Sequence, residues 1–292
     1  MKNKLLGIPY IIWMAIFVVA PLILVVIFAF TDRNGAFTLE NFSTMNQYVS
    51  VFWDSFLLAL VATLVCIFIG YPLAYFLSRE NAALKGMAMM LIMLPMWMNF
   101  LLRTYSWMSL LEDTGLLNRL FQAIHLIDLV NAIGGGLAGL LHQPYKPIEF
   151  FHMINTPGAV VLGMVYNFLP FMVLPIFSVI DKIDHRVIEA AQDLGADSTV
   201  VFRRIIFPLS LPGVLSGVTM VFIPSVSTFV ISGLLGGGKT MLLGDLIQMQ
   251  FFGNTYNPNL GSAISLVMMV IVLICMSIMN RFGSGGEEAV VL

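Results

Sequence analysis

The chain has 292 residues, of which 59% are apolar and only 10% charged, with a formal net charge of −2. Soluble domains carry about 25% charged residues, so this composition excludes an ordinary soluble fold and points to a single polytopic membrane domain. The near-neutral balance offers no basic surface to displace counterions from nucleic acid, and two cysteines inside apolar runs, Cys66 and Cys275, do not make a secreted disulfide framework.

Six apolar runs approach or exceed the roughly 20 helical residues that cross a hydrocarbon core. They cover about 8–30, 55–77, 87–102, 158–180, 212–235 and 261–280. Backbone groups in lipid must pair within the segment, and no run alternates as a barrel strand does, so all six are expected to be helices. The first run is longer than the roughly 7–15 apolar residues of a signal peptide, with no A-x-A site after it, and reads as an uncleaved anchor. The third is short and holds Pro95, which predicts a kink or a partly unwound turn. Residues 106–127 then place Leu110, Leu111, Leu116, Leu117, Leu120, Phe121 and Ile124 at helical spacing beside Glu112, Asp113 and Arg119. That pattern predicts an amphipathic helix at the outer interface. Residues 131–157, with Gly134-Gly135-Gly136, Pro144 and Pro147, read as irregular, completing an outer loop over 103–157. A second outer loop, 236–260, holds Gly236-Gly237-Gly238 and Asn257-Pro258. No internal repeat and no separate soluble domain is visible.

Orientation follows from the basic residues of the loops. Lys2, Lys4, Arg79, Lys85, Lys182, Arg186, Arg203, Arg204 and Arg281 fall on one side of this arrangement; Arg33, Arg103, Arg119, Lys146 and Lys239 fall on the other. The bias places both termini and the 181–211 segment in the cytoplasm, as an even number of spans requires.

That segment is a mostly polar island between apolar runs. Asp184 is suited to cap a helix from His185 to Leu194, and Gly195 to the left-handed position that ends it. Asp197 or Ser198 is expected to cap a second helix through Ile206, with Pro208 and Pro212 stopping it before the next span. On the first helix, Val187, Ile188, Ala191 and Leu194 share one side, while Glu189, Gln192 and Asp193 share another. Ala190 and Ala191 are small enough for a partner surface to approach closely.

Glu189-Ala190-Ala191, then Gly195, then Ile205 and Pro208, resembles the coupling loop of ATP-binding-cassette importer permeases; Phe207 stands where that pattern has Leu. The resemblance extends over Leu94-Pro95-Met96-Trp97-Met98-Asn99, Arg103-Thr104-Tyr105-Ser106-Trp107, Asn155-Thr156-Pro157 and Tyr166-Asn167-Phe168-Leu169-Pro170-Phe171. It continues through Pro208-Leu209-Ser210-Leu211-Pro212-Gly213, Met241-Leu242-Leu243-Gly244-Asp245 and Asn257-Pro258-Asn259-Leu260-Gly261. From about 55 to 282 the chain is similar to spermidine/putrescine permeases, most of all the first permease of their pair; the 131–150 stretch is less familiar. The resemblance implies an all-α, six-span permease of a bacterial cytoplasmic membrane. It further implies a second homologous permease, two ATPase subunits that carry ATP and Mg, and an extracytoplasmic polyamine-binding protein. This chain itself would bind no cofactor and catalyse no reaction. In that setting Glu189 becomes a docking acid, Ala190 and Ala191 the contact face, Gly195 the turn, and Ile205 and Pro208 the second arm. A sister permease for an oxyanion or ferric iron is the alternative within the class. Outside it stand a gradient-driven carrier, which calls for ionisable groups in mid-membrane, and a membrane-embedded enzyme.

A polyamine path calls for aromatic faces, oxygens and carboxylates. Trp97, Tyr105, Trp107 and Tyr166 are candidates for the faces, Asn99, Ser225, Ser227 and Thr228 for the oxygens, and Asp245, Glu112 and Asp113 for outer acids. Arg103 is expected to snorkel to the interface. Gly233 through Thr240 satisfies the phosphate-loop pattern G-x-x-x-x-G-K-[ST], but that motif works only between a strand and a helix. Here it follows a span on the expected outer side and reads as a glycine loop. His125, His142, His152 and His185 lack metal-ligand spacing, and the 20 methionines scatter through the spans as packing.

Overall fold

The computed structural model describes residues 8–140, 146–253 and 255–283. The first span is one apolar helix of 22 residues, made of α1 (Ile8–Met14), a π turn over Ala15–Val19, and α2 (Ala20–Ala29). Pro21 follows the π turn by two residues. Proline cannot bond the carbonyl four residues back and its ring presses on it; here that carbonyl belongs to Phe17, inside the widened turn, so the helix absorbs the proline without breaking.

The chain then reverses at an antiparallel bridge between Thr31 and Phe37 and continues through α3 (Glu40–Thr44), a 3-10 turn over Met45–Tyr48 and α4 (Val49–Ser78). The second apolar helix therefore starts before residue 55. Carbonyls at the end of a helix lack partners within it. Asn41 donates to the Ala29 and Thr31 carbonyls at 3.1 and 3.0 Å, and Asn259 to those of Phe28 and Thr31 at 3.2 and 2.8 Å. Asn41 thus ties the end of the first span to α3, and Asn259 ties it to the start of the last span.

Next come α5 (Ala82–Trp97), α6 (Phe100–Leu111), α7 (Leu116–Ala123) and α8 (Leu126–Leu140). The chain bends by 92° between α5 and the α6–α7 segment. Pro95 lies inside α5, so the expected kink falls instead at Met98–Asn99, where both residues turn extended and the Asn99 side chain caps α6. The single amphipathic helix expected over 106–127 is split by a turn at Glu112–Gly115. The irregular stretch expected from 131 begins later, because α8 runs through Gly134-Gly135-Gly136; a helix under way gains a bond per residue, which offsets the roughly 1 kcal/mol cost of each glycine. Pro144 lies outside the described residues. Beyond it, Asn118 brackets Phe151 with bonds to its N–H (2.9 Å) and from its own amide to the carbonyl (3.0 Å). Asn131 does the same to Ile148, both at 2.8 Å, so the outer loop is held by side-chain amides in place of a sheet.

The remaining elements are α9 (Pro157–Ile180), α10 (His185–Asp193), α11 (Ser198–Val201), α12 (Phe207–Ser227), α13 (Val230–Leu235), α14 (Leu243–Phe252) and α15 (Pro258–Gly283). Pro208 and Pro212 do not stop the helix that precedes them. A π turn over Phe202–Ile206 joins α11 to α12 in one run, Ser198–Ser227, and Pro208 sits two residues beyond it, as Pro21 does in the first span. The run expected over 212–235 instead breaks at Thr228–Phe229, and the outer loop 236–260 contains α14. Among the described residues five helices are long and apolar enough to cross a membrane, or six with the bent pair counted as one span.

The core is a three-helix seam of α4, α9 and α12. Apolar side chains gain nothing by leaving lipid for one another, so such seams depend on close packing and small residues. Ala62, Cys66 and Ala74 of α4 are fully buried against Met172, Val173 and Ile176 of α9. A Cβ on Gly217 would stand 2.7 Å from the Met172 sulfur, so glycine there is what lets α12 reach α9.

Candidate functional site

Two places carry the residues singled out above: the hairpin of α10 and α11, and the break after α12. In the hairpin, the Asp184 carboxylate accepts the Arg186 N–H at 2.9 Å and starts α10 as expected. At the other end the Gly195 N–H donates to Gln192 and the Ala196 N–H to Ala191, at 2.8 and 3.0 Å. That double bond pattern is a Schellman cap, and it requires the φ of +83° that Gly195 adopts. Asp197, not Ser198, caps α11, accepting the Val200 N–H at 2.7 Å.

The cap decides which face of α10 is free. Ile188, Ala191 and Ala196 are partly buried against the core seam, so Ala191 is less open than Ala190. Glu189, Ala190 and Val187 are exposed, and Leu194 is 90% exposed. By hydrophobicity Leu194 groups with Ile188 and Ala191; it is exposed because it is the C-cap just past Asp193, where the chain swings into the glycine turn. The exposed side of α10 thus carries Val187, Glu189, Ala190 and, just past its end, Leu194. Behind α10 lies a cavity of about 270 Å³ lined by Tyr75, Arg79, Asp181, His185, Ile188 and Gln192.

The second arm is anchored to the bundle. Ile205 is half-buried and Pro208 exposed, while Phe202, in the π turn, meets Tyr75 and Tyr71 edge-on at 5.1 and 6.0 Å between centroids. The Tyr71 hydroxyl bonds Ser210 at 2.9 Å. Arg79 stacks over the Tyr75 ring at 4.5 Å, and Lys85 pairs with Asp181 at 2.5 Å, joining α5 to the end of α9. These contacts tie the hairpin to α4, α5 and α9. This aromatic cluster was not visible in the coupling-loop pattern, since its partners lie about 130 residues upstream.

The path candidates separate. Trp97 is 77% exposed and Tyr105 exposed. The Asn99 oxygen accepts the Leu101 N–H at 2.8 Å, so it serves as a helix cap. Trp107 and Tyr166 do meet, at 5.3 Å and 67°. Arg103 does not snorkel: it is only 8% exposed, its guanidinium carbon 5.9 Å from the Tyr166 centroid, with Nε and Nη1 lacking partners. Its charge beside Tyr166 repels any other cation from that ring. Of the outer acids, Asp113 bonds His152 at 3.1 Å.

Ser225, Ser227, Thr228 and Asp245 gather at the break. The Ser225 and Ser227 hydroxyls donate to Val221 and Ile223 of their own helix, at 2.7 and 3.2 Å. Asp245 accepts the Leu242 N–H at 2.9 Å. Burial pushes its carboxyl above the usual range, with the Ser232 hydroxyl and the Leu242 amide pulling back in part. Ser55, on α4, accepts the Leu243 N–H at 2.8 Å and sets the start of α14. The glycine stretch Gly233–Thr240 begins inside α13, a helix, so it lacks the strand a phosphate loop follows.

Among the described residues the chain is an all-helical apolar bundle that carries a capped hairpin between two spans. The chain belongs to the family of binding-protein-dependent transport system inner membrane components, whose model matches residues 67–284. It is thus a multi-pass inner-membrane protein.

Among individual proteins it is 34% identical to the spermidine/putrescine transport system permease protein PotB of Haemophilus influenzae, over 92% of this chain and 90% of that one. It is equally identical to PotB of Escherichia coli strain K12, over 89% and 90%. The fold matches a bacterial ABC transporter involved in the import of the acidic polysaccharide alginate, with a TM-score of 0.77, 15% identity and coverage of 97% and 96%. The MetNI methionine ABC transporter matches less closely, with a TM-score of 0.56, 16% identity and coverage of 84% and 98%.

Proposed function

We propose that this chain is the permease through which an ATP-driven importer takes up spermidine and putrescine. The observation that carries the reading is the 34% identity to PotB proteins over about nine-tenths of both chains, reaching beyond the coupling loop shared by the wider class. The chain pairs with a second homologous permease. Two ATPase subunits bearing ATP and Mg dock on the hairpin, and an extracytoplasmic binding protein delivers the polyamine. The basic-residue bias of the loops supports placing both termini and the hairpin in the cytoplasm.

The mechanism follows from the connections of the hairpin. Glu189, Ala190, Val187 and Leu194 form the outward face that enters a cleft of the ATPase, and Gly195 keeps that face at a set angle to the second arm. Closure of the ATPase dimer moves the hairpin as a unit. Phe202, Tyr75 and Tyr71 pass the movement to α4, and Lys85 with Asp181 passes it to α5 and α9. The seam of α4, α9 and α12 then exchanges inward- and outward-open packings, a bistable element biased by its partner.

Uptake of labelled spermidine and putrescine tests this, in cells lacking their own polyamine importers and expressing the full complex. The control cells omit this chain or carry an ATPase-dead partner. Uptake that needs both establishes the importer. An assembled complex without polyamine uptake removes the substrate assignment, and uptake indifferent to the ATPase removes the coupling role.

A further inference from the structure

The break after α12 gathers hydrogen-bond acceptors and a negative charge with no cation to meet them. Thr228 turns extended, with ψ of 143°, so the last carbonyls of α12 lose their helical partners and present the negative end of a 21-residue helix. A Cβ on Gly244 would stand 2.4 Å from the Thr228 carbonyl oxygen and 2.5 Å from that of Ser227, so both oxygens lie against the residue that precedes Asp245. The Ser232 hydroxyl lies beside the same carboxylate. Asp245 takes part in no ion pair among the described residues. A group suited to this place brings donors and positive charge, and an alkylammonium brings three N–H donors on one charge. The aromatic pair Trp107–Tyr166 is not a rival, because Arg103 already lies near the Tyr166 ring.

We propose that the Asp245 carboxylate, with the Ser227 and Thr228 carbonyls at the broken end of α12, receives one ammonium group of the transported amine. The proposal rests on the polyamine reading above. The bland role for Asp245 is capping of α14 through the Leu242 N–H, and the amide oxygen of asparagine fills that role equally well. Charge and capping are thus separable.

The test uses the complete complex with its binding protein in proteoliposomes, reading spermidine delivered per ATP hydrolysed and co-purification of the subunits. In Asp245→Asn, delivery per ATP should fall about tenfold with assembly and basal hydrolysis retained, as loss of a charge-assisted contact predicts. Asp245→Glu should keep most of it. Unchanged delivery in Asp245→Asn, a parallel fall of hydrolysis and delivery, or failure to assemble would each overturn the site in favour of a structural carboxylate. Absence of spermidine transport by the unaltered complex would instead bring down the polyamine reading, and the ammonium site with it.

Discussion

The Ser55 hydroxyl on α4 accepts the backbone N–H of Leu243, 188 residues later, at 2.8 Å, while donating to the Val51 carbonyl at 2.6 Å. Ser55 and Leu243 are both fully buried. The start of α14, and with it the position of Asp245, is therefore set by the second span and not by the loop that leads to it. Ser55→Ala should strand the Leu243 N–H away from water and cost about 1–3 kcal/mol. Thermal unfolding in detergent should show a lower midpoint, whereas Ser55→Thr, which keeps the oxygen, should lose less. An unchanged midpoint in the alanine variant would mean the bond is not formed.

Gly195 offers a purely backbone test. Its φ is +83° and nothing lies within 4 Å of where a Cβ would stand, so a substituent meets strain but no clash. Gly195→Val should cost about 1–2 kcal/mol at the turn and uncouple uptake from ATP hydrolysis. Gly195→Asn, whose side chain tolerates the left-handed region, should retain most activity. Equal behaviour of the two variants would rule out the left-handed turn.

Leu194→Asp addresses docking without touching the core. Replacing an exposed side chain should leave the unfolding free energy within about 0.5 kcal/mol of the original, while ATPase subunits co-purify less. Glu189→Ala should act in the same direction. Full recovery of the ATPase with Leu194→Asp would place the docking surface elsewhere.

Lys239 lies on the exposed glycine turn after α13. ATP hydrolysis by the assembled complex should be unaffected by Lys239→Ala. A collapse of hydrolysis with assembly intact would revive nucleotide binding at Gly233–Thr240.

The raised carboxyl of Asp245 gives a pH dependence of definite sign. Its ordinary value is 3.8, and burial lifts it in the folded chain. Between the two values the folded state holds the proton more tightly than the unfolded state, so stability present below 3.8 is lost as pH rises through the folded value. The unfolding midpoint of the native chain should fall over that window relative to Asp245→Asn, which has no such group. Parallel midpoints across the window would mean that Asp245 titrates alike in both states.

Much was legible because it is local. Asp184, Gly195 and Asp197 perform the capping roles their side chains and their places beside the helix ends imply. The apolar runs from 158 and 261 became α9 and α15 within a few residues of the expected bounds. Other expectations failed where periodicity is silent. The third run is broken as expected, but at Met98–Asn99 and not at Pro95, because the Asn99 oxygen caps the following helix. Pro208 suggested a stop, but the π turn before it supplied the room its ring needs. Ala191 is partly buried and Leu194 is 90% exposed although both lie on one stripe of the helical wheel, because Leu194 falls on the cap, past the last helical turn.

The amino-acid sequence by itself determined the class of this protein. Long uncharged runs must be helices in lipid, where every backbone group needs a partner within its own segment; short polar segments with capping residues must turn. Those constraints act over a few residues and survive in any tertiary arrangement. Only the tertiary structure decided that Ser55 holds Leu243, that Arg103 is buried near Tyr166, that Leu194 faces outward, and that the broken end of α12 lies against Gly244 beside Asp245. These depend on which helices meet and at what rotation. Closeness of backbones sets both, and it becomes visible only once α4, α9 and α12 have packed.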